Sequence, residues 1–327
     1  MKERFKLLPG GLLLFIPIAV GAQTPTFGQP TISGIQGVGF EQDIRLDPTN
    51  PSRVYTSVPG SLSSDTSWIW HSEDAGKTFK WVIAGAAKEG KPNVCSGGGD
   101  TELAVDTGGN FYFNDLTVVP NFSTARSEDH GASFLCSNSG VPDTLVDRQW
   151  YAVDGNPRTG SGFGTGAGHN IYLVNDEIGP GAVTCPVSGL VNNVLAMYRS
   201  PTLAGGATAG IEFGPAQRVS APQSCDEGIM GNDEVSPVAT TTDEPPGSAP
   251  VRHVYVIHDD ATFSRILIGR CFPVPFTSDP TGLSCRDLPV ATLGTIPPGE
   301  TCPTAKTGGN FPTLAIDKAG NLYTVWE

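Results

Sequence analysis

Acidic residues recur at one kind of position in this chain, the entry to an apolar strand, and together they suit cation or polyol chemistry. Five segments read as paired strands: DIRLD (43–47) with RVYTSV (53–58), ELAVD (102–106) with NFYFN (110–114), WYAVD (150–154) with NIYLVN (170–175), SPVAT (236–240) with HVYVIH (253–258), and TLAID (313–317) with NLYTVW (321–326). Counting back from the ends of the first strands, the entries carry Glu41, Asp100, Asp147 with Arg148, Asp233 with Glu234, and Asn310. Carboxylates converging on one mouth cannot all stay ionised; some take up protons, or a cation or an arginine neutralises them. A hard cation such as Ca²⁺ would take Asp100, Asp147 and Asp233 as ligands. A polyhydroxylated compound would use the same groups, with Arg148 as the lone basic member, and Gly97, Gly98 and Gly99 would let the backbone approach closely. The same three aspartates are also the candidate catalytic residues of a two-carboxylate glycosidase. The competing reading, solvated loop carboxylates of an acidic protein, stays open, because turns favour Asp.

Composition narrows the class. With 327 residues, 41 Gly, 28 Pro and only 16% charged residues, the chain suits many short strands joined by turns, and no amphipathic helical pattern stands out after the N-terminus. The formal charge of −13 repels polyphosphate, so nucleic acid is excluded as a partner.

Two copies of one pattern, SEDAGKTF at 72–79 and SEDHGASF at 127–134, share the form SxDxGx(T/S)F. Ser72 with Asp74, and Ser127 with Asp129, offer short acceptors for backbone N–H groups in a tight turn; Gly76 and Gly131 supply positive φ, and Thr78 and Ser133 complete the pattern. Phe79 and Phe134 then open the next strand and pack between sheets. This predicts a folding device with no part in chemistry. A repeated small sheet points to an all-β fold, a β-propeller of four-stranded blades. The strand pairs predict about four and a half blades, a six- or seven-bladed ring truncated at its C-terminus, because such blades need radial closure.

These boxes, the strings LeuAlaValAsp and AlaIleAsp with GlyAsnLeuTyr, and ValAspArgGlnTrpTyrAlaValAsp (146–154) resemble exported proteins of the sialidase-like, Asp-box (BNR repeat) β-propeller superfamily, over roughly residues 40–327. The resemblance implies a ligand site on the face opposite the boxes and a carbohydrate or extracellular protein as partner. It specifies activity poorly, since such boxes occur in sialidases, other glycosidases and non-enzymatic propellers. A sialidase would need three arginines on the substrate carboxylate, a Tyr activated by a Glu, and an Asp acid. No ArgIlePro motif occurs, and only Arg148 stands at a strand entry, with Arg45 inside a strand. The expected function is a ligand-binding or interaction scaffold for glycans, a hard cation, or both, at the channel mouth. The alternative is a glycoside hydrolase, an exo-sialidase or a neutral-sugar glycosidase.

Lys2, Arg4 and Lys6 precede an apolar run that closes on Val20-Gly21-Ala22, the pattern of a signal peptide over 1–22. The run is shorter than the ~20 residues of a spanning helix, so no membrane span is expected after cleavage. A linker over 23–39 and the propeller over 40–327 complete the expected organisation, in a secreted or periplasmic protein. Seven cysteines in an exported chain argue for disulfides, with Cys95–Cys136 favoured because they flank the second repeat, though connectivity stays open. The five histidines show no HxxxH spacing, and the glycine-rich 161–168 opens no helix and lacks the Lys-Ser/Thr of a phosphate loop. The five tryptophans are assigned mainly to the core between blades, with stacking on sugar rings as the other use.

Overall fold

The structure, a computed structural model, describes residues 41–60, 67–83, 95, 97–117, 121–137, 140–142, 145–155, 170–177, 183–184, 191–192, 194–200, 211, 213–220, 228–241, 249–293 and 311–326. The expected signal peptide and linker, Asn310, the 161–168 segment, and Cys185, Cys225 and Cys302 lie outside the described residues.

Four antiparallel four-stranded sheets follow one another along the chain. The first joins β1 (Asp43–Asp47), β2 (Asn50–Val58), β3 (Trp68–Ser72) and β4 (Lys80–Ile83), and the second β5 (Thr101–Val105), β6 (Phe111–Leu116), β7 (Phe122–Ser127) and β8 (Leu135–Ser137). The third holds β9 (Val146–Val153) and β10 (Ile171–Glu177); a small hairpin of β11 (Val183–Thr184) and β12 (Val191–Asn192) intervenes before β13 (Val194–Arg199) and β14 (Gln217–Arg218) complete it. The fourth joins β15 (Met230–Thr240), β16 (Val251–Asp259), β17 (Arg265–Pro273) and β18 (Leu283–Thr292), and a two-stranded sheet of β19 (Thr313–Ile316) and β20 (Leu322–Val325) follows. Each first strand packs beside the next, β1 by β5, β5 by β9, β9 by β15 and β15 by β19. The sheets are therefore blades of a β-propeller fanning from a common axis.

The core lies between blades. Tyr55, Ile69, Leu103, Phe111 and Phe134 join the first two blades; Tyr112, Tyr151, Leu173 and Tyr198 join the second and third. Val174, Met197, Val254 and Val256 join the third and fourth, and Ile257, Ile268 and Leu314 close on the last pair of strands. Phe134 is fully buried and meets Phe111 edge-on at 5.8 Å, whereas Phe79 is only half-buried. The tryptophans divide differently from expectation. Trp70 is buried, but Trp68 and Trp81 are 40% and 51% exposed, on the face of the first blade opposite the Ile69 side that packs on the second. Disulfides Cys95–Cys136 and Cys271–Cys285 close on Cα–Cα distances of 5.4 and 4.1 Å, the first as expected from its flanking of the second repeat.

Antiparallel connectivity places the turns after each first and third strand at one end, the base, and leaves the strand entries at the other. The base turns are built around aspartates. Asp129 accepts from Ser127 Oγ at 2.7 Å, Ser133 N at 2.8 Å and Ser133 Oγ at 2.5 Å, and Asp74 repeats the pattern with Ser72 and Thr78. Between Asp and Gly the chain passes through left-handed backbone at Ala75 (φ 60°) and His130 (φ 59°). A second clamp, in strings read from sequence only as hairpin turns, closes the first-to-second-strand turn. Asp106 accepts from Gly108 N, Asn110 N, Asn110 Nδ2 and the Tyr112 hydroxyl at 2.7–2.9 Å; Asp317 does the same with Ala319, Asn321 and Tyr323. Asp129→Ala is expected to cost about 1–2 kcal/mol in urea unfolding through its lost turn bonds. An unchanged midpoint would remove the clamp reading.

A buried arginine stands at the end of the third blade's third strand. Arg199, at the end of β13, donates through Nε to Asn170 Oδ1 at 2.8 Å and through NH1 to the carbonyls of Val274 and Gly282, both at 2.7 Å. Its guanidinium lies 4.7 Å over the Phe276 ring, so one side chain ties the third blade to the β17–β18 loop of the fourth.

Candidate functional site

The first strands begin at the mouth, and cross-blade polar contacts hold them there. Asp43 Oδ2 accepts from Leu103 N at 2.8 Å, Gln149 Nε2 donates to Asp100 O at 2.5 Å, and Asn232 exchanges two bonds with the backbone of Leu314 at 2.8 and 2.9 Å. Each bond joins one blade's inner strand to its neighbour's, so the mouth residues are fixed by backbone rather than by free loops.

The sequence strands were placed too far downstream: β9 begins at Val146 and β15 at Met230, so Asp147, Arg148, Asp233 and Glu234 lie inside strands rather than before them. Bulges explain the difference. Opposite β10, Gln149 pairs with Asn175 and Asp147 with Asp176, leaving Arg148 as the extra residue, with φ 44°. A bulge re-aims a side chain and interrupts the alternation by which a strand is recognised. A similar register shift lies between Met230 and Asp233.

The structure brings Glu41, Asp100 and Arg148 together. Arg148 NH1 stands 3.8 Å from Asp100 Oδ2 and 4.0 Å from Glu41 Oε2, and its guanidinium sits 4.8 Å from the Trp150 ring and 4.7 Å from that of Phe311. Burial, together with the hydrogen bond and charge of Glu41, pushes the Asp100 carboxyl up to about 7, against the pull of Arg148. Asp147 is half-buried and its carboxyl is also raised, by burial first and by Asp100, while the Arg148 N–H bonds it at 2.9 Å. Behind Asp100, burial raises Asp115 to about 7 although Ser67 N and Gly98 N each donate to it at 2.9 Å and Ser67 Oγ at 2.8 Å. The glycines before Asp100 do serve close approach, but to this carboxylate: a Cβ on Gly97 would collide with Asp115.

Asp233 and Glu234 belong to a second, deeper group that sequence reasoning missed. Arg45 donates to Glu102 Oε1, lies 2.8 Å from Asp43 Oδ1, and bonds Leu103 O at 2.9 Å. Arg148 is therefore not the lone basic member. Burial works against the charge on Arg45, but Glu102, Asp43, Glu234 and Asp233 outweigh it and raise its pKa. Burial holds Glu102 well above the usual carboxylate range, with Asp43 and Asp233 adding to the shift and Arg45 and Arg148 opposing it. Glu102 thus feels both arginines and joins the two groups electrostatically. Asp233 is raised by burial and by Glu234, and Glu234 by burial against Arg45. One signal could have found Glu102: it lies two residues beyond Asp100, on the same side of an otherwise apolar strand.

Among the described residues no three His, Cys, Asp or Glu side chains are grouped so as to hold a metal ion. Asp100, Asp147 and Asp233 are not grouped in this way. The acids are compensated by two arginines and by raised proton affinity. No described helix is long and apolar enough to cross a membrane.

No family model matches the chain, and no curated protein matches it. Among solved structures, one titled "NanB plus Optactamide" is similar with a TM-score of 0.45 at 10% identity, over 84% of this chain and 32% of that one, so this chain spans about a third of that neighbour's length. A protein of unknown function from Dyadobacter fermentans DSM 18053 is similar with a TM-score of 0.31 at 11% identity, over 73% of each chain.

Proposed function

We propose that this propeller is an exported glycan-binding module whose ligand sits at the channel mouth against Glu41, Asp100, Arg148 and Phe311. The observation that supports it most is backbone strain at a contact: Glu41 (φ 51°) and Arg148 (φ 44°), two non-glycine residues in left-handed backbone, meet there. Such conformations cost of order 1–3 kcal/mol each and cluster at ligand sites. The groups suit a sugar. Carboxylates accept from paired hydroxyls, the guanidinium donates to ring and hydroxyl oxygens, and Phe311, 43% exposed, offers an apolar aromatic ring to sugar C–H groups. Export is supported by the two disulfides and by the basic, then apolar, first residues.

Titration calorimetry with neutral hexasaccharides derived from cellulose, xylan, starch and chitin tests the reading. At least one is expected to bind, Arg148→Ala to weaken it roughly 10–100-fold and Phe311→Ala roughly fivefold. No binding by any of them, or binding indifferent to both substitutions, would discard the site.

A second reading, glycoside hydrolysis, is favoured by one observation: a carboxyl near 7 at Asp100 beside the charge of Asp147, the pairing of a general acid with a base or nucleophile. Arylglycoside turnover abolished by Asp100→Asn, with hexasaccharide binding kept, would select it.

A further inference from the structure

The group below the mouth holds more acids than bases. Asp43, Glu102, Asp233 and Glu234 all act on Arg45, whose NH1, NH2 and Nε are committed to Asp43, Glu102 and Leu103 O, and Arg148 reaches Glu102 alone. Asp233 receives only the more distant part of the Arg45 charge. It is 3% exposed, and beyond its own backbone neither of its carboxylate oxygens has a hydrogen-bond partner among the described residues. A buried carboxylate without donors is an expensive arrangement in a free protein. A register shift lies between Met230 and Asp233, and this residue and the adjacent Glu234 both act electrostatically on Arg45.

The missing donors identify a ligand chemistry. A divalent ion would require three or more ligating side chains in one place, and the described residues supply no such group. An anionic sugar is disfavoured, since acids outnumber arginines in this group and the chain carries a net charge of −13. A primary ammonium carries three N–H donors and one charge, and one or two carboxylates suffice to hold it.

We propose that Asp233, with Glu234, forms a subsite for the ammonium group of an amino sugar, so that the mouth prefers glucosamine-type chains to their N-acetylated counterparts. The proposal rests on the glycan reading above and names its ligand class. Arg45 and Glu102 act as positioning residues: their ion pair fixes the walls and leaves Asp233 as the acceptor. Binding transfers no atoms except a proton. A protonated Asp233 releases its proton to solvent as the ammonium arrives.

The test compares glucosamine hexamer with N-acetylglucosamine hexamer by calorimetry on the full chain at pH 6, in two buffers of different ionisation enthalpy. Wild-type protein is expected to bind the glucosamine hexamer about tenfold more tightly, with proton release. Asp233→Asn should erase the preference and the proton release while leaving the N-acetylglucosamine hexamer within about twofold, and Glu234→Gln should reduce the preference in part. Equal binding of the two hexamers by wild-type protein, a preference that survives Asp233→Asn, or tighter binding of Nα-acetyl-lysine amide than of the glucosamine hexamer would each overturn the subsite. If the N-acetylated hexamer binds and Phe311→Ala weakens it, yet no ammonium preference exists, the subsite falls and the mouth reading stands. If no hexasaccharide binds at all, both fall.

Discussion

Arg199→Ala is expected to lower the melting temperature by roughly 10 °C, the largest effect of any single substitution considered for this fold. The side chain is fully buried and supplies the donors for Asn170 Oδ1 and for the carbonyls of Val274 and Gly282. Truncation leaves those three acceptors short of donors and opens a void against Phe276, whose ring the guanidinium covers. Lost charge-assisted bonds and cavity together cost about 4 kcal/mol, and each kcal/mol is worth about 2–4 °C in a domain of 150–250 residues. Among the described residues no carboxylate lies within ion-pair distance; burial lowers the pKa of Arg199, and the more distant charges of Tyr172 and Asp154 only partly oppose it. Arg199→Lys should recover less than half of the loss, because an ammonium cannot reproduce the flat fork or the stacking. Thermal unfolding followed by circular dichroism reads the difference; a shift under about 3 °C would mean the two blades are joined by their apolar core alone.

The second large effect is a fall in stability as the pH rises from 5 to 8. Asp100 and Asp115, both pushed up to about 7, keep protons in the folded chain that the unfolded chain releases near pH 4. Between those values the folded state binds more protons, so the free energy of unfolding decreases with rising pH. The stabilisation is whole below about pH 4 and is spent once the pH passes the folded values near 7. Glu102, Asp147, Asp233 and Glu234, raised as well, act in the same sense. Asp74 at about 2, with Asp47, Asp260 and Asp317 also lowered, acts in reverse: their support is present above pH 4 and is lost as acid protonates them. Stability should therefore peak near pH 4–5. A carboxyl raised by about three units corresponds to about 4 kcal/mol. Urea midpoints at pH 5 and 8 check it; a midpoint that stays level or climbs over that range contradicts the raised carboxyls. Asp100→Asn should flatten part of the slope.

Much of the framework can be read from the chain because it is written locally. The SxDxGx(T/S)F turns carry every atom of their clamp within eight residues, and in four of the five pairs the first and second strands announce themselves by alternation and by an Asp at the turn. Asp100 and Arg148 follow from counting back along those strands. Arg45 and Glu102 do not. They belong to different blades, and each looks in isolation like an ordinary polar position of an alternating strand; only the fan brings them into contact. Phe311 was hidden for the same reason, as a loop residue whose importance comes from lying over an arginine of another blade. The early starts of β9 and β15 were obscured by polar residues and bulges, the features that aim their side chains. The exposure of Trp68 and Trp81 was invisible too, since a tryptophan in a strand has the same local pattern whether or not a neighbour covers it.

The aspartate clamps at the base share no side chain with the strand entries. Folding information and the acid–arginine groups thus occupy opposite poles of the same strands, and the rim can be rewritten with little penalty to assembly. A library randomising positions 41, 147, 148 and 311 while leaving the clamps intact should yield mostly well-folded variants, which makes this propeller a chassis for selecting new binding specificities.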